Sequence, residues 1–308
     1  MLEIYIKLLP VFGFFALGIV LRSLKLVHQA YGGRMLKFMF FVTLPAMILV
    51  KLTQSSIELD KFYLPFLNIG INLACMLVML LVTWKMPIER GTRGAMLVSS
   101  MIINNIFIFP FVLTVMGDQA FTELVIFDIG NAFMTITLTY IVAFSHGPEH
   151  TSLRNIGINA LKLPAVWALI VAITLNLNSI HLPKLAMDVL DPVGLLTTPL
   201  ILVALGIYFT PRIKKIRLVT ITILVRMLAG FFFGLVFANV FDLQGSTFII
   251  VILCSAAPIG FNAVTYASLA KLDMELAASA VSFSVLIGMI TSPLLLYFLQ
   301  IYIKNASA

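Results

Sequence analysis

Runs of about twenty apolar residues, the length an α-helix needs to cross a bilayer, follow one another from end to end of this chain with only short polar connections between them. Hydrophobic residues make up 61% of its 308 positions, charged residues only 11%, and the mean hydropathy is +1.09. Soluble domains do not have that balance. The chain therefore reads as an all-α integral membrane protein. Ten spans can be placed, near 3–22, 35–53, 62–84, 94–117, 121–145, 161–179, 192–211, 218–241, 246–270 and 276–303. Lys7, Lys37 and Lys51 intrude on the first two and must snorkel toward the interface. The stretch Leu8–Leu21 lacks an Ala-x-Ala-like cleavage site and is followed at once by further spans, so it reads as the first helix and not as a signal peptide.

The net charge of +7 does not point to nucleic acid, because the basic residues are spread over short loops. They orient the chain instead. With ten spans, fourteen of the twenty Lys and Arg residues, from Arg22 to Lys271, fall on one side, and Lys7, Lys51, Lys61, Lys184 and Lys304 fall on the other. Arg226 is left within a span. The positive-inside rule then places both termini on the non-cytoplasmic side. Short loops and the lack of a sorting segment fit a multi-pass protein of a bacterial inner membrane. Cys75 and Cys254 lie inside apolar segments, which leaves no disulfide framework.

Enzyme chemistry finds little footing. There is no His-Glu-x-x-His, His28, His146, His150 and His181 all fall in loops, and there is no glycine-rich phosphate loop. The pair Asp188 and Asp191 reads as a solvated loop face. No catalytic residue, metal or cofactor is expected, only a coupling ion.

Sliding the chain by 154 residues sets Leu9-Pro10 on Leu163-Pro164, Ile19 and Leu21 on Ile173 and Leu175, and Thr43-x-Pro45 on Thr197-x-Pro199. The same shift pairs Asn72 with Arg226 and Asp128 with Ser282. Five spans per half with both termini on one face requires the halves to be inverted. Repeat one is expected over 1–150 (spans 1–5) and repeat two over 155–304 (spans 6–10), within a single transporter-like unit over 1–308.

Spans four and nine each carry a proline-interrupted stretch, Ile102-Ile-Asn-Asn-Ile-Phe-Ile-Phe-Pro110 and Ser255-Ala-Ala-Pro-Ile-Gly-Phe-Asn-Ala263. Asn104 and Asn105 lie about 15 Å of helix rise into span four, and Pro258, Gly260 and Asn262 reach similar depth from the opposite side. Backbone groups freed by a helix break in lipid survive only where protein or a water-filled cavity satisfies them. Two matched breaks predict a substrate site at the midplane, held by Asn104, Asn105, Pro110, Pro258, Gly260 and Asn262. The plainer account, prolines as packed kinks and asparagines as interhelical glue, suits one such span better than two.

Asp128, an intramembrane carboxylate, is a candidate for coupling to a proton or sodium ion, with Asn131 one turn on. Its plainer role is a static partner for Arg226 or for a neighbouring helix. Span ten offers the hydroxyls of Ser279, Ser282, Ser284, Thr291 and Ser292 as hard oxygen ligands. Arg226 either attracts an anion or is a structural pair, reaching a carbonyl or the interface. Gly230-x-x-x-Gly234 reads as a close-packing motif.

At the broken spans the sequence resembles the auxin efflux carrier family, which includes plant auxin exporters and bacterial malate or malonate permeases, and the resemblance covers essentially the whole chain. It implies ten helices in two inverted five-helix repeats, with helices four and nine crossing beside the substrate at Pro110 and Pro258. It also implies a scaffold part from spans 1, 2, 6 and 7, often a homodimer contact, and a crossover part from spans 3–5 and 8–10 that carries organic anions by an elevator-like movement. The stretch Pro258-Ile-Gly-Phe-Asn-Ala-Val-Thr-Tyr266, with Thr291-Ser-Pro-Leu294, is also similar to the bile acid sodium symporters of the same superfamily. That similarity implies ion coupling at Asn262, Thr265 and Ser282. Ile106, Phe107, Ile108 and Phe109 replace the family's glycines, which implies a more apolar pocket, and the acidic residue of the sodium symporters' span nine is absent. The expected function is secondary transport of a small carboxylate such as an auxin-like acid, malate or malonate. The alternatives are a sodium-coupled bile-acid-like symporter and a gated channel or membrane receptor on the same scaffold.

Overall fold

The computed structural model describes residues 2–54, 59–148, 164–208 and 215–306. His150, Arg154, Lys162, Arg212, Lys214, most of the expected connection between the halves and the start of the expected sixth span lie outside them.

The described residues are helical throughout apart from their turns and one isolated backbone bridge. In chain order the helices are α1 (Leu2–Ser23), α2 (Gln29–Phe38), α3 (Leu44–Gln54), α4 (Leu64–Thr83), α5 (Arg90–Met101), α6 (Asn105–Met116), α7 (Asp118–Met134) and α8 (Tyr140–His146). Then come α9 (Pro164–Leu177), α10 (Lys184–Leu195), α11 (Thr197–Tyr208), α12 (Ile216–Ile223), α13 (Gly230–Val240), α14 (Gly245–Ser255), α15 (Asn262–Leu269) and α16 (Met274–Ala306). Single π-helical turns at Met39–Thr43, Thr135–Thr139 and Leu224–Ala229 join α2 to α3, α7 to α8 and α12 to α13 into continuous rods.

Six stretches are long and apolar enough to cross a membrane: Ala30–Gln54, Lys61–Thr83, Asp118–His146, Lys184–Ile207, Ile216–Val240 and Met274–Asn305. Shorter apolar helices cover Leu9–Ser23, Asn105–Met116, Pro164–Leu177 and Gly245–Ser255. Large apolar side chains such as Phe66, Trp84, Leu185, Phe232 and Phe298 are exposed, as helices that meet lipid instead of water require. The chain is a multi-pass membrane protein in contact with the bilayer.

The helices group into two compact units. The first comprises Met1–Lys61, Phe109–Thr122 and Gly157–Phe209, and the second Phe62–Ile108, Glu123–Ile156 and Thr210–Ala308. The chain passes from one to the other inside α6 and again inside α7.

In the first unit α1 packs on α11 and α3 packs on α9 and α10. Small residues let the backbones of α1 and α11 touch: a Cβ on Gly18 would lie 2.2 Å from the Val203 carbonyl oxygen, and one on Gly206 2.2 Å from that of Phe15. Such contacts replace the hydrophobic drive that lipid removes. The Arg22 guanidinium donates to the Ile207 carbonyl at 2.7 Å, the Asn176 amide to that of Leu52 at 2.6 Å, and Lys51 pairs with Asp118 at 3.2 Å.

In the second unit one end is held by a polar clamp. Asp273 caps α16, its Oδ1 accepting the Leu276 N–H at 3.0 Å. Its Oδ2 accepts from Thr92 of α5 at 2.9 Å and from Lys215, just before α12, at 2.6 Å. Partial burial pushes the Asp273 carboxyl up, but these hydrogen bonds and the lysine charge outweigh it and hold the group below the usual carboxylate range. The bond to Asp273 raises the Lys215 ammonium in turn.

Two outcomes are expected. Gly18→Val, which drives a branched side chain into the α11 backbone, lowers stability by about 1–3 kcal/mol, read as a fall in the thermal midpoint in detergent. Because the folded Asp273 is depressed, its contribution is present above the ordinary carboxylate pKa and is lost as pH falls through the folded value. Asp273→Asn therefore flattens the acid limb of the midpoint-versus-pH curve below about pH 4 and costs about 1 kcal/mol or less at neutral pH, since Lys215 is half exposed. An unchanged acid limb would show that the clamp carries no stability.

Candidate functional site

The second unit contains two helix breaks, and they satisfy each other. After α5 the chain leaves the helix, with Ile102 extended at φ −107°, ψ 116°, and re-enters at Asn105. After α14 it leaves at Ala256 and re-enters at Asn262. The two extended pieces lie antiparallel, with Ile103 opposite Ile259. The Asn104 N–H donates to the Pro258 carbonyl at 2.9 Å and the Gly260 N–H to that of Ile102 at 3.0 Å. Gly260 is required by this approach, because a Cβ there would lie 2.6 Å from the Ile102 side chain. On α16, Gly288 serves the same end: a Cβ would lie 2.3 Å from the Pro258 ring.

The outward-facing groups of the paired isoleucines are met by side chains. Asn131 of α7 accepts the Ile103 N–H and donates to the Ile103 carbonyl, both at 3.1 Å, as a neighbouring strand would. Its amide also donates to Asp128 Oδ1 at 2.8 Å, and the same oxygen accepts from the Asn105 amide at 2.7 Å. Asn104 caps α6 by accepting the Phe107 N–H at 3.2 Å. On the other strand the Ile259 N–H donates to Ser284 at 3.1 Å.

Arg226 closes the other side of the pairing. Its guanidinium is fully buried and donates to the Ser100 carbonyl at 3.1 Å, the Ser255 carbonyl at 2.8 Å and Asn72 Oδ1 at 3.1 Å. Ser100 and Ser255 lie in the last turns of α5 and α14, so one cation serves the negative ends of both half-helices. The π-helical turn that carries Arg226 is itself a local offset of the rod. Gly230 makes room, since a Cβ there would lie 2.2 Å from the Ser255 oxygen and 2.5 Å from the guanidinium.

Of the residues singled out in the sequence, Asn104, Asn105, Asp128, Asn131, Pro258 and Gly260 converge on this pairing. Pro110 does not. The break precedes the asparagines, and Pro110 lies inside α6, beyond the point where the chain passes to the first unit. One missing donor does not end a helix whose other bonds continue. Asn262 and Thr265 lie three residues apart in α15, both exposed, outside the hydrogen-bonded set. Ser282 is buried on α16, and Ser284 of the same helix accepts the Ile259 N–H. Arg226 is not the partner of Asp128: each has its own neutral partners. The sequence signal for the arginine's role was present, because the 154-residue shift pairs it with Asn72, the residue it touches.

Polytopic apolar helices with a buried, polar, mutually bonded break define a membrane transport protein. The sequence pattern of the membrane transport protein family matches residues 3–296, and the chain belongs to that family, the one that takes in the auxin efflux carriers. The chain is also similar to an uncharacterized transporter of Methanocaldococcus jannaschii, 23% identical over 260 residues that cover 78% of this chain and 81% of the relative. Both comparisons point to a transporter rather than an enzyme.

Arg226→Met leaves two buried carbonyls and Asn72 without a donor, at about 1–3 kcal/mol each. The variant is expected to lose several kcal/mol and to unfold or aggregate in detergent. Arg226→Lys recovers only part, because one ammonium cannot span both carbonyls. Full stability of Arg226→Met on thermal unfolding would refute this role.

Proposed function

We propose that this chain is a secondary active transporter that moves a small organic anion, a carboxylate such as an auxin-like acid, malate or malonate, by elevator-type alternating access. The observation that carries the reading is the break pairing in the second unit. Two half-helix N-termini, those of α6 and α15, begin beside extended backbone, and helix N-termini favour anions. Asn104, Asn105 and Asn262 would hold the carboxylate, and Asp128, with Asn131, would take the coupling ion, a proton or sodium. Pro110 and Thr265 contribute less directly in this reading, and Arg226 supports the backbone without contacting cargo.

The six long apolar stretches and four shorter ones support ten spans. The hydrogen bond between Asn72 and Arg226, positions paired by the internal repeat, supports two inverted five-helix repeats. The grouping of the chain into two compact units supports a scaffold part and a moving crossover part, with 109–122 joining the former. The scaffold helices are the expected homodimer contact. The basic-residue bias supports both termini on the non-cytoplasmic side, and a bacterial inner membrane is the proposed location.

The test is uptake by purified protein in liposomes of labelled malate, malonate, indole acetate and bile acid, with and without imposed proton and sodium gradients. Saturable flux of one anion that follows a gradient is expected, with Asp128→Asn lowering the gradient-driven rate at least about tenfold. Flux that does not saturate would mark a channel. Binding without flux would mark a receptor.

A further inference from the structure

The first unit holds a charged cleft that has no part in the paired breaks. Asp191 reads in the sequence as part of a solvated loop face, yet it stands inside α10, about 10 Å of helix rise past Lys184, where that membrane-crossing stretch begins. A carboxylate at that depth is costly unless something meets it. Among the described residues no ion pair reaches it.

Asp191 lines an open cleft of about 290 Å³ together with Met47, Val50 and Lys51 of α3, Leu113 of α6 and Leu195 of α10. Thr198, at the start of α11, adds a hydroxyl. All of these residues belong to the first unit. The two helices that carry the charges meet at Met47 and Gly194, where a Cβ on the glycine would lie 2.9 Å from the Met47 Cα. From that crossing Lys51 lies one turn on along α3 and Asp191 one turn back along α10. Lys51 is matched by Asp118 at 3.2 Å, so the Asp191 carboxylate is the charge left over at the cleft.

We propose that this cleft binds a membrane lipid with a primary ammonium headgroup, of the phosphatidylethanolamine type, its ammonium donating to Asp191 and its phosphate lying on the Lys51 side. The charge to be met is negative, so the ligand carries a cation. A bare Ca²⁺ or Mg²⁺ needs about six oxygen ligands, whereas these walls are mostly methyl and methylene groups and suit a cation carried on carbon. The route in is from the bilayer: Leu195 at the cleft is exposed, as are Leu185 and Val189 on the same helix. A choline headgroup has no N–H to donate, and a glycerol headgroup has no cation, so the site selects among lipids. The inference does not depend on what the breaks carry.

The experiment places the full chain in nanodiscs of phosphatidylethanolamine, phosphatidylcholine and phosphatidylglycerol with the same acyl chains, mixed in equal parts. Lipid that stays bound after release into detergent is counted by native mass spectrometry. Wild-type protein is expected to retain the ethanolamine lipid over either of the others by at least about tenfold, the worth of one charge-assisted hydrogen bond. Asp191→Asn is expected to bring that ratio close to one. Soluble glycerophosphoethanolamine, which has the headgroup without the chains, is expected not to displace the lipid. Equal retention of the three lipids by wild-type protein overturns the inference whether or not the variant folds, and so does a preference that survives in folded Asp191→Asn. Displacement by the soluble headgroup overturns the lipid as ligand and marks a site for a water-soluble amine.

Discussion

A membrane-embedded helix that stops in mid-course exposes backbone groups where no water can reach them, and here two helices stop side by side. The consequence runs through the second unit. The four groups that face inward between the breaks pair with one another across the Ile103 and Ile259 bridge. Those that face outward recruit Asn131 and Ser284, and the ends of α5 and α14 recruit Arg226. Each recruit constrains its own helix in turn. Gly230 is glycine because the guanidinium passes beside it, Gly260 because the strands touch, and Gly288 because the Pro258 ring presses on α16.

Polarity in this core is divided between two ends of the break. The helix C-termini meet a cation whose two terminal nitrogens are engaged. The α6 N-terminus meets a carboxylate shared by two asparagines. Arg226 and Asp128 each have their own hydrogen-bond partners at the break, so neither needs the other as an ion-pair partner. This explains why a buried arginine and an intramembrane aspartate can coexist without a salt bridge, an arrangement whose desolvation cost often exceeds its gain.

Much of this was legible in the sequence, for physical reasons that can be named. Helices in lipid advertise themselves by length and hydropathy, and rare polar residues in apolar surroundings mark themselves as candidates. Asn104, Asn105, Asp128 and Asn131 were found that way. Pro110 was misplaced because a proline is a visible helix breaker, whereas the actual break at Ile102-Ile-Asn104 contains only ordinary residues that are extended because a partner strand holds them. The part played by Ser284 was not legible, since which serine of a helix meets a backbone N–H depends on helix rotation. The role of Ser100 and Ser255 is carried by their carbonyls, which have no side-chain signature at all.

The contact between Asn72 and Arg226 constrains what either position can carry. A 154-residue shift of the sequence sets these two positions on each other, and in the folded protein they touch. The same residue could not stand at both. Two arginines would press like charges together out of reach of water, and two asparagines would lack the reach to serve both helix ends. The contact is therefore asymmetric in what it demands: position 72 must accept from the guanidinium and also donate to Asn68, while position 226 must reach the carbonyls at both helix ends.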